Sequence, residues 1–219
     1  MAAAHRLLAY AAAYPCNKLR LTACDMTLHI QSDASYLSRD GSRSVAGGIF
    51  YLGNKGCPTH INGAIHAISS IIGVIVSSAA EAEYAALFMN AQHGEWLRTV
   101  LEAFGYPQPP TLIMCDNACA VGIANKTVKM KRSKCIDMRF HWIRDRITQG
   151  HFIVQWREGA NNLADFFTKA LPVNVHQDLM PYLVHSDHAS ASSLKRIAAW
   201  KEQQRQQGRR MIQQAATRH

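Results

Sequence analysis

Residues 78–116 read SAAEAEYAALFMNAQHGEWLRTVLEAFGYPQPPTLIMCD, and the change of period inside this stretch decides the fold class. From Ser78 to Phe104, the residues Leu87, Ala91, Leu97, Leu101 and Phe104 are available for one buried helical stripe. Ser78 as N-cap with Glu81 three positions on fits a capping box. Gly105 and Pro107 close the helix. Thr111 to Cys115 then runs apolar as a short strand and stops at Asp116.

Upstream of the helix the pattern is that of strands. Thr27 to Ser32 alternates, with Leu28 and Ile30 against His29 and Gln31, as a half-buried strand does. Ser35 to Ser44 reads as a polar loop with turn chemistry at Asp40-Gly41. Ala46 to Leu52 is a second strand, and its Gly47-Gly48 pair points to a bulge or a close backbone approach. Asn54-Lys55-Gly56 suits a hairpin turn, with a third strand inside residues 61–72. Downstream, a short helix is expected at Asn117–Ala124, a longer one from about Ile136 to Gln149, and a strand at His151–Trp156. A final helix is expected at Asn161–Leu171, ended by Pro172. Residues 3–13 are helical in pattern and stop before Pro15. Three strands in succession make an antiparallel meander, and later strands separated by helices add parallel partners. The expectation is an α/β chain with a mixed sheet covered by helices.

Composition narrows the function classes. A chain of 219 residues suggests one domain with appendages. An apolar share of 48% and a charged share of 18% exclude wholesale disorder. The net charge of +9 points to an anionic partner, and most of it sits in two blocks, residues 126–146 and 195–219. No apolar run approaches the roughly 18–20 residues of a membrane span. The apolar N-terminal stretch is broken by Tyr10 and lacks a cleavage site, so an intracellular protein that is not secreted is expected. The six cysteines form no C-x-x-C pair, which argues for reduced thiols and against structural zinc. His29, His60, His66 and His93 have no metal-ligand spacing, and ordinary core or surface roles are expected for them.

In so basic a chain the carboxylates are informative. Asp33 and Asp116 each follow an apolar run, at the strand ends where ligands of open α/β sheets gather. Asp also favours turns and caps, and for either residue alone that explanation is open. Glu81 and Glu83 lie about 200° apart around a helix, so they cannot face one site. Glu81 has the capping task, which leaves Glu83 free to turn toward the sheet. Asp165 stands where the helix dipole favours a carboxylate, in the first turn of the last helix.

The segments SDASYLSRDGSRSVAGGIFYL, SSAAEAEYAAL, CDNACAVGIAN, KTVKMKRSKCIDMRFHWIRDRI and VQWREGANNLADFFTKAL occur in this order. Together they resemble the ribonuclease H domain of a copia-type LTR retrotransposon polyprotein, over about residues 1–184. The resemblance implies a ribonuclease H-like mixed five-stranded sheet of order 3-2-1-4-5 flanked by helices. It implies endonucleolytic cutting of the RNA strand of an RNA–DNA hybrid, with Asp33, Glu83, Asp116 and Asp165 as the catalytic and metal-binding set. One departure stands out: the link from the last strand to the last helix is only Arg157 to Asn162, with no His. Many cellular ribonucleases H carry a His-bearing loop there.

Phosphodiester hydrolysis suits four acids of this kind. Two hard cations about 4 Å apart neutralise charge, activate water and stabilise the leaving oxygen, and such ions take oxygen ligands. Two Mg²⁺ ions are therefore expected, with Mn²⁺ able to substitute. In this scheme Asp33 bridges both ions, Glu83 and Asp116 hold the ion at the leaving group, and Asp165 holds the other. Lys126, Lys129, Lys131, Arg132, Lys134 and Arg139 are expected to track the phosphate backbone. Ser35, Asn90 and Asn117 are candidates for reading 2′-hydroxyls. Trp142 and Trp156 are expected in the core. The expected partners are an RNA–DNA hybrid and a reverse transcriptase domain of the same polyprotein, with no membrane and no small-molecule cofactor. The expected organisation is a helical connection remnant at 1–24, a ribonuclease H domain at 25–184 and a basic Gln/Arg-rich extension at 185–219. The competing reading is a degenerate, non-catalytic module that binds nucleic acid or tethers a partner.

Overall fold

The structure, a computed structural model, describes residues 2–55, 62–128, 137–159 and 162–185. A helix α1 (Ala2–Ala13) precedes strands β1 (Thr27–Arg39), β2 (Arg43–Gly53) and β3 (Ala64–Ile71). The long helix α2 (Ala79–Ala103), strand β4 (Thr111–Cys115), helices α3 (Ala118–Ala124) and α4 (Asp137–Thr148), and strand β5 (Phe152–Trp156) follow. Two further helices, α5 (Asp165–Thr168) and α6 (Val173–Leu183), complete the order. The five strands form one sheet of order β3-β2-β1-β4-β5. The β1–β2 and β2–β3 pairs are antiparallel, and the β1–β4 and β4–β5 pairs are parallel. This is the mixed five-stranded sheet, of order 3-2-1-4-5, that the resemblance implies. Among the described residues, no helix is long and apolar enough to cross a membrane.

Alternation in β1 and β2 separates the two faces of the sheet, because successive Cβ atoms point to opposite sides. Leu28 and Ile30 join Phe50, Leu87, Ala91 and Ile113 in the main core, beneath α2. The adjacent glycines of β2 show the two coverings directly. A Cβ on Gly48 would lie 1.7 Å from Asn90 Oδ1 of α2, and one on Gly47 would lie 2.5 Å from Thr168 Cγ2 of α5. The glycine pair is thus a close approach on both faces. The β1–β2 register runs through it without a shift.

Several expectations need correcting. The half-buried strand is buried on both faces: His29, Gln31 and Asp33 are no more than 3% exposed. α5 and the segment before it dock on the Gln31–Asp33 part of its polar row, and His29 stacks on Tyr51 of β2. Gln31 Oε1 accepts from the Leu163 N–H at 2.7 Å, and Asn162 Nδ2 donates to the Ser32 carbonyl at 2.9 Å. The polar stretch from Ser35 is largely strand, since β1 continues to Arg39 and β2 begins at Arg43. Only the turn at Asp40–Ser42 remains, where Gly41 and Ser42 have positive φ (72° and 53°).

The expected final helix at Asn161–Leu171 is a single turn, α5. Asn162 Oδ1 accepts from the Ala164 N–H at 3.1 Å in a turn before α5, and the chain turns extended at Lys169. Pro172 then starts a helix instead of ending one, because its fixed φ (−54°) suits a helix entry and its missing N–H costs nothing there. Ser78 does cap α2, accepting from Glu81 N–H at 3.2 Å. Glu81, however, reaches back to the N–H and hydroxyl of Ser77 (2.7 and 2.8 Å), one residue earlier than a capping box requires. Phe104 is the C-cap and is 74% exposed, outside the stripe that buries Leu87, Ala91 and Leu101. Trp142 packs partly buried against the core, whereas Trp156, at the end of edge strand β5, is 56% exposed.

The expected extension at 185–219 lies outside the described residues except for His185. That residue forms an isolated antiparallel bridge with Lys18, tying the segment after α1 to the end of α6.

Candidate active site

Four separate elements deliver the carboxylates. Asp33 lies in the middle of β1, not at its end. It still sits at an edge, because the parallel neighbour β4 stops at Cys115, opposite Ser32. The next residue on each strand is then Asp33 and Asp116, so the register itself brings these two carboxyls side by side. Glu83 is buried, at 7% exposure, in the second turn of α2. Cys115 donates its S–H toward Glu83 Oε2 at 3.8 Å, and the Ala34 N–H also bonds the Glu83 carboxyl. Asp165 opens α5 and is carried to β1 by the Gln31 and Asn162 contacts.

Side-chain oxygens of Asp33, Asp116 and Asp165 lie within 4.8 Å of one another. A second group, with the same spacing, joins Glu83, Cys115 and Asp116. Thr168 and Lys169, at the end of α5, complete the site. Thr168 Oγ1 donates to Asp33 Oδ2, and Lys169 Nζ stands 2.9 Å from Asp165 Oδ1. The Asp116 carbonyl accepts from Trp156 Nε1 at 2.8 Å. Gly159 keeps the site open, since a Cβ there would lie 2.8 Å from Asp116 Oδ2.

Crowded acids in a desolvated site resist ionisation. Burial, then the neighbouring Asp165 charge, pushes Asp33 up to about 7, although the Thr168 hydroxyl and Lys169 ammonium oppose the rise. Burial, with the charges of Asp33 and Asp116, pushes Glu83 up to about 9. Asp116 is raised by burial and by Asp165. Burial alone would lower Lys169, but its bond to Asp165 and the surrounding carboxylates raise it.

The donor set fits a hard divalent cation. Three carboxylates converge, all their donors are oxygen, and their mutual repulsion is relieved by positive charge. The Cys115 thiol does not fit such an ion. It is a soft donor, and burial followed by the Glu83 charge keeps it protonated.

The nucleic-acid candidates are placed less uniformly. Ser35 is half-buried just beyond Asp33. Asn117 is half-buried and N-caps α3, accepting from the Ala120 N–H at 3.0 Å. Asn90 is fully buried, and its Nδ2 donates to Ser32 Oγ and the Gly47 carbonyl (both 2.9 Å). It holds α2 to two strands instead of facing a ligand. Lys126 is exposed after α3 and lines an open groove with His141, Trp142 and Arg144. Lys129, Lys131, Arg132 and Lys134 lie outside the described residues, as does the side chain of Arg139. Sequence reasoning missed Thr168, Lys169 and Gly159. The i,i+4 spacing of Asp165 and Lys169 was the available signal.

No protein-family model matches the chain. It is 31% identical over 116 residues to the retrovirus-related Pol polyprotein from transposon TNT 1-94 of Nicotiana tabacum, covering 53% of this chain. It is 29% identical over 177 residues, 79% of the chain, to the Pol polyprotein from transposon RE1 of Arabidopsis thaliana. The chain therefore spans only 9% and 12% of the lengths of these polyproteins. Its relatives are retrotransposon Pol polyproteins of the class that the sequence resembles. Among solved structures, the N-terminal RNase H domain of a Mycobacterium tuberculosis protein is similar, at 16% identity and a TM-score of 0.49. That match covers 65% of this chain and 91% of the solved one.

Proposed function

We propose that this chain is a metal-dependent ribonuclease H that hydrolyses the RNA strand of RNA–DNA hybrids during retrotransposon reverse transcription. One observation carries the reading: Asp33, Asp116 and Asp165, from distant parts of the sequence, bring oxygens within 4.8 Å of one another at one edge of the sheet. The three converging acids repel one another, and a hard divalent cation would relieve that repulsion with oxygen ligands already in place. Similarity to retrotransposon Pol polyproteins supports the setting.

Asp33, Asp116 and Asp165, with Glu83 beside them, would hold one or two Mg²⁺ or Mn²⁺ ions. Bound there, the cation supplies charge neutralisation at the phosphate and a water ionisable near neutral pH. The chain's own groups prepare the site. Thr168 fixes the Asp33 carboxyl, Trp156 fixes the backbone at Asp116, and Asn162 and Gln31 seat Asp165. Gly159 leaves the approach to Asp116 free of a side chain. The exposed Lys126 and the basic residues after it would follow the phosphate backbone by charge, with strongly salt-dependent affinity. The hybrid and a reverse transcriptase domain of the same polyprotein are the proposed partners, inside an intracellular retroelement particle.

The test uses labelled RNA–DNA hybrid, double-stranded RNA and double-stranded DNA, each with and without Mg²⁺ or Mn²⁺. Cleavage confined to the RNA of the hybrid, dependent on metal and lost in Asp116→Asn, is expected. Metal-independent cutting, or an undiminished Asp116→Asn enzyme, refutes the assignment. Hybrid binding without cleavage under any condition favours the non-catalytic module.

A further inference from the structure

Lys169 lies outside the carboxylate set, yet its ammonium sits against it. Nζ is 2.9 Å from Asp165 Oδ1, and Asp165 shares a 4.8 Å cluster with Asp33 and Asp116. The backbone explains how it gets there. α5 ends at Thr168, and Lys169 turns extended (φ −139°, ψ 153°), still one helical turn from Asp165. Thr168 is 1% exposed and bonded to Asp33, so the residue before the lysine is pinned to the floor of the site. The lysine itself is not pinned. Its side chain is 45% exposed, so it can leave Asp165 for water without disturbing the core. A lysine suits this place: it is a compact point charge on a flexible stem, lacking the rigid fork of arginine.

We propose that Lys169 is an internal counter-cation of the carboxylate site, which neutralises Asp165 and its neighbours until a hard divalent cation replaces it there. The lysine then acts in two opposed ways. It holds the repelling acids together in the metal-free chain, and it weakens metal binding, because the incoming ion must displace or tolerate a positive charge beside its ligands. Lys169 is a positioning residue in this scheme. The inference rests on the metal-site reading given above.

The experiment measures binding of Mg²⁺ alone to the full chain by calorimetry, with no nucleic acid present, and urea unfolding in chelator. It compares the wild type, Lys169→Met and Lys169→Arg. Lys169→Met is expected to bind Mg²⁺ on the order of tenfold more tightly and to unfold at lower urea when metal-free. Lys169→Arg keeps the charge with a different shape, and should lie closer to wild type than Lys169→Met in both. If Lys169→Met binds Mg²⁺ no more tightly than wild type, or unfolds at the same urea concentration without metal, the counter-cation role is overturned. If neither the wild type nor Lys169→Met binds Mg²⁺, the metal-site reading fails and takes this inference with it.

Discussion

Replacing Glu83 with Gln should make the metal-free chain more stable, by an amount that depends on pH. Glu83 is 7% exposed, and burial together with Asp33 and Asp116 pushes its carboxyl from 4.5 up to about 9. Between those values the folded chain holds a proton that the unfolded chain has released. Native stability therefore falls as pH rises from 4.5 through 9. At 1.36 kcal/mol per pH unit, the penalty at pH 8 has a ceiling of about 5 kcal/mol. Glutamine is neutral at every pH and can still accept the Ala34 N–H bond, so it avoids the penalty. The difference in unfolding free energy between Glu83→Gln and wild type should be small near pH 4.5. It should grow through pH 8, and it should shrink when Mg²⁺ is added. Urea unfolding followed by tryptophan fluorescence, in chelator and at half-unit pH steps, measures it. A difference that does not change between pH 5 and pH 8 would refute the picture of a desolvated carboxyl repelled by its neighbours.

Three further outcomes are expected. Gly48→Ala places a methyl on the buried Asn90 amide and should cost about 3 kcal/mol, read as a lower unfolding midpoint; an unchanged midpoint would mean that α2 is not seated as described. Gly159→Ala meets only the end of the Asp116 side chain, so hybrid cleavage should fall at least tenfold while the unfolding midpoint holds; normal cleavage would remove Asp116 from the reacting centre. Burial lowers His29 from 6.5 to about 4, so the native state loses roughly 3 kcal/mol as pH falls through that window. His29→Phe, which keeps the ring against Tyr51, should abolish that component; equal acid sensitivity in both proteins would contradict it.

The two pH effects have opposite signs and separate physical origins. Glu83 is a buried acid that folding protonates, and His29 is a buried base that folding deprotonates. Both follow from desolvation of the charged form. Neither was legible in the sequence, where His29 alternates with Leu28 and Ile30 as an exposed residue would. The cover over Gln31 and Asp33 comes from residues more than a hundred positions away, through Leu163 and Thr168, whereas His29 stacks on Tyr51 of the neighbouring strand.

Local chemistry made much of the rest readable. Ser78 caps α2 because its hydroxyl is three residues from an unpaired N–H. The Gly47-Gly48 pair marks a close approach because only glycine admits α5 and Asn90 on opposite faces. The short last helix was misread because Pro172 can either end one helix or begin another, and only the docking of Asn162 and Thr168 on β1 decides between them. Asn90 resembled a ligand-reading amide because the sequence does not reveal that its N–H groups are spent inside the fold.

The sequence by itself determined the order of the elements as far as β5, the meander followed by parallel strands, and the positions of four carboxylates along the chain. Those features depend on periodicity, caps and turns, which act over a few residues. Tertiary structure alone decided that β4 ends beside Asp33, so that strand register places Asp116 next to it. It alone set Thr168 on Asp33, Lys169 on Asp165 and Gly159 against Asp116. Electrostatic energy depends on distance through space and on burial, and neither is a property of sequence separation.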